Sequence, residues 1–167
     1  AVWTVWWLAI RASDALAWVP ENRFQATGTI IGGAVSIRHV RAFAWQDKRT
    51  FTERWEDRTY DLALLEALDL YVCTWGNPRI AHVMLSFAFA GGPPLCFSVE
   101  TRREVGERWT ATAGFMKSYE LLIIAGDERD LVRSRVNVRG EDVRLYRVYS
   151  TPQMRAKILA RMIAEMN

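Results

Sequence analysis

The chain has 167 residues, of which half are apolar and a quarter are charged, and this composition is that of a globular domain with its own core. Its net charge of +3 is small and scattered along the chain, which argues against a nucleic-acid-binding surface. The sequence contains no zinc-ligand spacing and no glycine-rich phosphate loop. It therefore predicts neither a metal nor a cofactor.

The chain begins with an apolar run at residues 2–10, and Trp3, Trp6, Trp7 and Trp18 crowd this end. The run is too short to span a bilayer, which takes about 20 residues. We expect residues 1–17 to be the end of a membrane-proximal or transmembrane segment and residues 18–167 to be the folded domain. Because the last residues continue an amphipathic helical pattern, we also expect the chain to be cut at both ends.

Residues 29–43 are rich in β-branched side chains, so we predict a strand with a turn or bulge at Gly32 and Gly33. Alternating aromatic and charged residues predict a second strand at 51–59. Residues 60–72 carry leucines at helical spacing after Asp61, a good capping residue, and are predicted to form a helix.

The second half of the chain begins with two β-rich runs, 80–89 and 95–102, around a Gly/Pro turn, and these predict a hairpin. A buried strand at 120–125, a helix opening at 127, a strand at 142–149 and a helix beginning at Pro152 follow. The charged residues 127–130 are typical of a solvated helix start. The predicted fold class is α+β, an antiparallel sheet with flanking helices.

Folding the hairpin about Gly92 places its polar side chains on one face of the sheet, because these residues all have even numbers. His82 and Glu100 then become diagonal neighbours, about 7–8 Å apart at Cα, and the carboxylate can reach the imidazole. The pairs predicted by this register are His82 with Arg102, Met84 with Glu100, and Ser86 with Ser98.

A histidine held by a carboxylate or hydroxyl is a common base in nucleophilic catalysis. We predict His82 as this base, oriented by Glu100 or by a hydroxyl of Ser98 or Ser86. The alternative is that these residues form a satisfied polar cluster with no chemical role. The other histidine, His39, lies between Arg38 and Arg41, where positive charge disfavours imidazolium, and is interpreted as a structural or surface residue.

The only cysteines, Cys73 and Cys96, are too few for a disulfide framework. Cys96 shares the face of His82, but the assumed register places it opposite Ala88, roughly 20 Å from His82 along the strand. Cys73 follows the apolar run at 60–72 and is predicted to lie in the core. We therefore expect neither thiol to act as a nucleophile with His82.

Several blocks of the sequence resemble one family in a fixed order. The family is the bacterial Lnb N-terminal periplasmic domain, formerly a domain of unknown function, and the resemblance runs from about Trp18 to the end. The blocks that carry it are RHVRAF (38–43), YDL (60–62), AHVMLSF (81–87), FSVETR (97–102), YEL (119–121), DERD (127–130) and RGEDVRLY (139–146).

The resemblance implies a membrane-attached protein whose domain faces the periplasm of a bacterial inner membrane. The family is similar to circularly permuted papain-like and NlpC/P60 thiol hydrolases, and it takes its name from a lipoprotein N-acyltransferase. It implies that His82 and Glu100 are the family's histidine and glutamate. The expected nucleophile is the cysteine of a YNTLTNNC-like segment after the last helix, which no residue of this sequence matches.

Two functions follow as expectations. The first is a Cys–His acyltransferase or hydrolase that acts on lipid or lipoprotein acyl groups. In this case the present sequence is a fragment that lacks the nucleophile, and we expect it to be inactive by itself. The second is a non-catalytic envelope domain that binds a lipid or a protein. The codons that follow Asn167 in the source gene discriminate them, because the enzyme needs a cysteine block there.

Overall fold

The computed structural model describes residues 15–76, 79–107 and 119–167. The predicted membrane segment at 1–17 lies almost wholly outside these residues, as does the stretch 108–118. No helix in the described ranges is long and apolar enough to cross a membrane. The described residues form two compact units: one holds 15–23, 101–107 and 119–121, and the other holds the rest.

The small unit is organised around the guanidinium of Arg102. This group lies 4.3 Å from the ring centre of Trp18 and donates hydrogen bonds to the carbonyls of Asn22 and Arg23 at 3.0 and 3.1 Å. It also lies 3.8 Å from the carboxylate of Glu120. Arg102 is thus a buried structural cation, and the predicted pairing with His82 is wrong.

The large unit is built on a mostly antiparallel sheet, which confirms the coarse α+β prediction. Its strands follow the order β1-β2-β9-β8-β7-β6-β10, with β5 paired to β2, and β3 and β4 form a separate two-stranded ladder. The described strands are β1 (Thr27–Ile31), β2 (Ala34–Arg41), β3 (Ala44–Trp45), β4 (Phe51–Thr52), β5 (Trp55–Asp61), β6 (Leu65–Thr74), β7 (Ala81–Phe89), β8 (Leu95–Arg102), β9 (Glu120–Gly126) and β10 (Asp142–Arg147).

Two helices flank the sheet, and each packs into a different apolar cluster. Helix α1 (Glu128–Arg133) continues as a π-helical turn, Ser134–Arg139, and helix α2 (Pro152–Met166) begins after the capping side chain of Thr151, as predicted. Leu159 and Ile163 of α2 join the odd-numbered residues of β7 and β8, such as Phe87 and Phe97. Leu131 of α1 joins the even-numbered Met84 and Cys96.

The predicted strand at 29–43 is a hairpin of β1 and β2, whose turn contains Gly32 and Gly33 at φ of 57° and 88°. Glycine is favoured here because two successive positive φ angles suit the twist of a two-residue hairpin turn. The predicted strand at 51–59 is interrupted, and its residues belong to β4 and β5.

The prediction of a helix over residues 60–72 is wrong. Asp61 does cap, but it caps a single 3-10 turn, Leu62–Leu64, by accepting a hydrogen bond from the backbone N–H of Ala63 at 2.9 Å. The chain then continues as β6, which is paired on both sides, with β7 and with β10. A register shift between Leu65 and Ala67 places Leu65 and Leu68 in the same cluster, and this imitates helical spacing.

The predicted hairpin of β7 and β8 is confirmed, but its register is displaced by two residues. Met84 faces Ser98 and Phe87 faces Leu95, whereas the prediction set Met84 opposite Glu100. The side-chain period of a strand is two, so an even displacement leaves every residue on its face. The polar residues therefore share one side of the sheet as expected, and that side is the one packed by α1.

Helix α1 approaches the sheet closely at Gly126, and we expect Gly126→Ala to be destabilising. An added Cβ would lie 2.8 Å from Cδ1 of Leu131 and 3.1 Å from the carbonyl oxygen of Arg41. Overpacking of this kind costs about 1–3 kcal/mol, which urea unfolding measures directly. Gly92→Ala is the matched control, because nothing lies within 4 Å of its added Cβ. Equal losses in both variants would contradict this account.

Candidate active site

His82, Ser98 and Glu100 form a continuous hydrogen-bonded cluster on the even-numbered face of β7 and β8. Nε2 of His82 lies 2.7 Å from Oγ of Ser98 and 3.3 Å from Oε1 of Glu100. The Ser98 hydroxyl donates to the same Oε1 at 2.7 Å. The three residues predicted from the sequence therefore meet, and Ser98 stands between the histidine and the carboxylate.

The hydrogen bonds also indicate which nitrogen of His82 carries a proton. A serine hydroxyl has a single hydrogen, and that of Ser98 is donated to Glu100. The Ser98 oxygen must therefore accept from Nε2 of His82, which accordingly bears a hydrogen. In the neutral imidazole this leaves Nδ1 as the basic nitrogen, and no hydrogen bond to Nδ1 occurs among the described residues.

Arg135 holds the carboxylate of Glu100 from the other side. Its Nη2 donates to Oε1 of Glu100 at 2.8 Å, and its Nη1 donates to Oε2 of Glu141 at 3.0 Å. The Arg135 side chain is only 6% exposed. A buried guanidinium between two carboxylates is compensated in charge, and its planar fork fixes the direction of both bonds.

Arg135 reaches Glu100 because the chain leaves α1 in a π-helical turn. This turn, Ser134–Arg139, ends at Gly140 with φ of 69°, and the next residue is Glu141, the second partner of Arg135. π-helical turns are rare and are frequent at functional sites. One short segment of the chain thus supplies both Arg135 and Glu141 to the cluster around Glu100.

The surroundings of Glu100 keep it ionised. Burial alone would raise the pKa of this carboxyl, but the hydrogen bond with His82 and the charge of Arg135 outweigh burial and hold the pKa well below its usual range. Burial likewise disfavours the charge of Arg135, but Glu100 and Glu141 outweigh it and raise the pKa of Arg135. The anion next to His82 is therefore permanent at neutral pH.

Ser86, the other predicted orienting hydroxyl, has a different partner. Its Oγ donates to Oε1 of Glu128 on α1 at 2.6 Å. Ser86 therefore does not hold His82. It joins β7 to the first turn of α1 instead.

Cys73 lies on β6 directly opposite His82, a proximity that the sequence pattern did not reveal. The helix predicted for this part of the chain had hidden the pairing. The prediction that Cys73 is a core residue is confirmed, because its exposure is 0%. Burial raises the pKa of its thiol to about 11, so the nucleophilic thiolate is scarce at neutral pH.

Cys96 faces Ser86 rather than Ala88. It lies on the same strand face as Ser98 and is fully buried, and burial raises the pKa of its thiol well above the usual value. Like Cys73, it belongs to the smaller apolar cluster with Met84 and Leu131. Both thiols therefore have the surroundings of structural cysteines.

His39 is a structural residue, in keeping with the prediction. It sits at a register shift of β2 with φ of 57°, a conformation that is costly for a residue other than glycine. Its backbone N–H donates to Oδ1 of Asp57 at 3.0 Å, its Nδ1 lies 3.0 Å from the carbonyl of Gln25, and its ring stacks on Phe24 at 5.0 Å. These contacts compensate the strain of the bulge.

The acidic block 127–130 is not simply a solvated helix start, as the sequence indicated. Asp127 caps α1 by accepting from the backbone N–H of Arg129 at 2.8 Å, and it also binds Arg58 at 3.0 Å. Asp130 is completely buried. It accepts two hydrogen bonds from Arg41 and one each from the backbone N–H of Phe43 and Nε1 of Trp45.

Sequence reasoning missed Arg135 and Glu141 as partners of the His82 cluster. A basic and an acidic residue six positions apart carry no helical or strand signal for pairing, since neither period brings them together. The only available signal was Glu141 in the block RGEDVRLY. Its partner Arg135 becomes visible only once the π-helical turn is known.

The chain matches the sequence model of the Lnb N-terminal periplasmic domain over residues 51–167. The chain belongs to this family. The matched range contains His82, Ser98, Glu100 and Arg135, and it contains every block of the resemblance except the one at 38–43. No curated protein and no solved structure matches the chain. The family description indicates a domain of the periplasm.

We expect Glu100→Gln to destabilise the fold by about 1–3 kcal/mol at pH 7, because a charged hydrogen-bond partner is removed from Arg135 and Ser98. A depressed pKa in the folded state means that the ionised carboxylate stabilises the fold fully above its unfolded pKa, near 4.3. This contribution declines as the pH falls toward the lower pKa of the folded state. Urea unfolding at pH 7 and pH 3 should therefore show a smaller difference between the two proteins at pH 3.

Glu66→Gln is the control for this measurement, since Glu66 is exposed on β6. We expect it to change the free energy of unfolding by less than about 0.5 kcal/mol at either pH. A difference for Glu100→Gln that is the same at both pH values would show that the charge of Glu100 does not stabilise the fold.

Proposed function

We propose that this periplasmic domain provides the general base of a thiol-dependent acyltransferase or hydrolase that acts on envelope lipid or lipoprotein acyl groups. The observation that carries the proposal is the difference in hydrogen bonding between the two ring nitrogens of His82. Its Nε2 is held by Ser98 and Glu100, while Nδ1 is left without a partner among the described residues. A histidine fixed through one nitrogen and open at the other has the arrangement of a base beside a nucleophile.

In the proposed reaction, Nδ1 of His82 takes the proton of a cysteine thiol, and the resulting thiolate attacks the carbonyl carbon of an acyl ester. The ester C–O bond breaks, the leaving alcohol takes the proton from His82, and the acyl group remains as a thioester. An amine or a water molecule then attacks the thioester. His82 takes a proton from the attacking amine or water, and the C–S bond breaks to release the amide or the carboxylic acid. The leaving thiolate then takes the proton from His82, which restores the thiol.

Glu100 stabilises the imidazolium that forms twice in this cycle. Its carboxylate is ionised and lies 3.3 Å from Nε2, on the side of the ring away from Nδ1. Ser98 and Arg135 act as positioning residues, because they touch the ring or the carboxylate rather than the reacting atoms. The family resemblance supports a nucleophilic cysteine in a segment after the last helix.

We do not assign the nucleophile to Cys73. Although it faces His82 across β6 and β7, its thiol is buried and has a pKa of about 11. A reactive cysteine needs access for the substrate and a lowered pKa, and this thiol has neither. We further propose that the protein is attached to the membrane. The tryptophan-rich apolar run at residues 2–10 supports this attachment.

A non-catalytic envelope domain remains the second candidate. The observation that favours it is that both thiols of the chain are buried and have raised pKa values. The His82 cluster would then serve to join β7, β8 and the segment after α1. In this case removal of the imidazole would change the stability of the domain, and the wild-type domain would have no acyl-transfer or hydrolytic activity.

We expect His82→Ala to lower kcat/KM by about 10²–10⁴-fold in the protein that includes the cysteine segment, since proton transfer by the base is lost. Glu100→Gln should lower it by roughly 10–100-fold, as is usual when a supporting hydrogen-bond partner is removed. Turnover of an activated acyl ester measures both effects, and mass spectrometry detects the thioester.

His39→Ala and Cys73→Ala are the controls, and both should retain turnover wherever circular dichroism shows that they fold. A thioester on Cys73 that disappears in His82→Ala would overturn our assignment of the nucleophile. Folded His82→Ala protein with unchanged turnover would overturn the proposed base.

A further inference from the structure

A cleft of about 790 Å³ lies on the large unit beside α1, and the residues that line it do not include His82, Ser98 or Glu100. It is lined by residues of α1 and the turn that follows it, of the segment after β2, of β5 and of the β7–β8 turn. Its lining residues include Phe43, Trp45, Pro93, Glu128, Arg129 and Arg133.

The carboxylates that line this cleft already have partners. Asp130 is bound by Arg41, and Asp127 is bound by Arg58 at 3.0 Å. Glu128 accepts from Ser86. Glu56, the fourth acid, is paired with Arg58 at 2.7 Å and with Arg54. Three of these four carboxylates are thus paired with arginines, whereas the Ser86 hydroxyl that Glu128 binds carries no charge.

Arg129 and Arg133 contribute two further positive charges to the lining of the cleft. They lie four residues apart on α1, so both project from the same side of the helix. Both are exposed, and within the described ranges neither guanidinium has a carboxylate partner. Two such guanidinium groups at the edge of a cleft form a natural site for an oxyanion, because the guanidinium fork matches the oxygens of a phosphate.

The same cleft is also lined by apolar residues, and one of their rings is held in place. The ring of Trp45 is fixed because its Nε1 donates to buried Asp130 at 2.7 Å, and it packs against Phe43 at 6.3 Å. Pro93 and Pro94 border the same cleft. A ligand that fits this combination carries an anionic group for the arginines and a short carbon portion for the rings.

We propose that this cleft binds the phosphate of a glycerophosphate ester through Arg129 and Arg133, with the glycerol carbons against the ring of Trp45. The ester can be a lipid headgroup or a soluble glycerol phosphate, since the recognised chemistry is the same. Binding at this site does not depend on the acyl chemistry proposed for His82, and the two can fail separately.

The cleft is nevertheless mechanically connected to the His82 strand. Glu128 lines the cleft and holds Ser86, which is four residues from His82 on β7. Four residues of a strand span about 13 Å. Glu128 therefore connects the lining of the cleft to the strand that carries the imidazole.

The test is binding of the 167-residue chain to two probes, sn-glycerol 3-phosphate by calorimetry and phosphatidylglycerol vesicles in a phosphatidylcholine background by sedimentation. We expect Arg129→Gln with Arg133→Gln to weaken binding by about thirtyfold, since each arginine near an anionic surface contributes about 1 kcal/mol. The loss should shrink at high salt, because both guanidinium groups are exposed.

Lys157→Gln with Arg161→Gln is the matched control. It removes two positive charges at the same spacing from exposed positions of α2. It should leave the affinity within about threefold and should have the melting temperature of the double arginine variant. Binding of soluble glycerol phosphate that is lost only in the arginine variant supports a soluble ester, and a selective loss seen with vesicles alone supports a lipid headgroup.

Three results would overturn the proposal. The first is equal weakening in both double variants, which would mean that net charge and not the cleft attracts the anion. The second is unchanged binding in the arginine variant. The third is that the wild-type chain binds neither probe, nor distinguishes phosphatidylglycerol vesicles from pure phosphatidylcholine vesicles.

Discussion

The buried ion pair of Asp130 and Arg41 is the interaction on which the rest of the large unit depends. Both oxygens of Asp130 are occupied: one accepts from Nε of Arg41 at 2.7 Å and from the N–H of Phe43 at 3.0 Å, and the other accepts from Arg41 and Trp45. A buried carboxylate without such partners would carry a desolvation penalty of several kcal/mol. The position of α1 is thereby tied to the end of β2.

This anchorage determines where the next segment goes. The parallel pairing of Arg41 with Gly126 brings β9 beside β2, and α1 begins two residues later. Since Gly126 has no Cβ, Leu131 can approach the sheet closely. The π-helical turn after α1 then carries Arg135 to Glu100. The anion that faces His82 is therefore held by a series of contacts that starts at Asp130.

The same anchorage connects the two sites we propose. Asp130 fixes Trp45 on one wall of the cleft, whereas Glu128, on the same helix, binds Ser86 on the strand of His82. The short helix α1 thus contributes residues that line the cleft and a carboxylate that binds the strand of His82. Helix α1 is therefore connected with both proposed sites.

The sequence by itself determined which residues could share a face. His82, Ser98 and Glu100 have even numbers on two strands, and a strand period of two keeps them together even though the register differs by two residues from the prediction. The cap at Thr151, the turn at Gly32 and Gly33 and the buried strand β9 were likewise readable, because each depends on local backbone preferences.

Tertiary structure alone decided the rest. The strand β6 was mistaken for a helix because a bulge and burial on both faces reproduce helical spacing, and only pairing with β7 and β10 selects the extended form. That pairing is also what places Cys73 opposite His82. Arg135 joins Glu100 through a π-helical turn that has no sequence period. Contacts between residues far apart in the chain are set by packing, which local propensity does not encode.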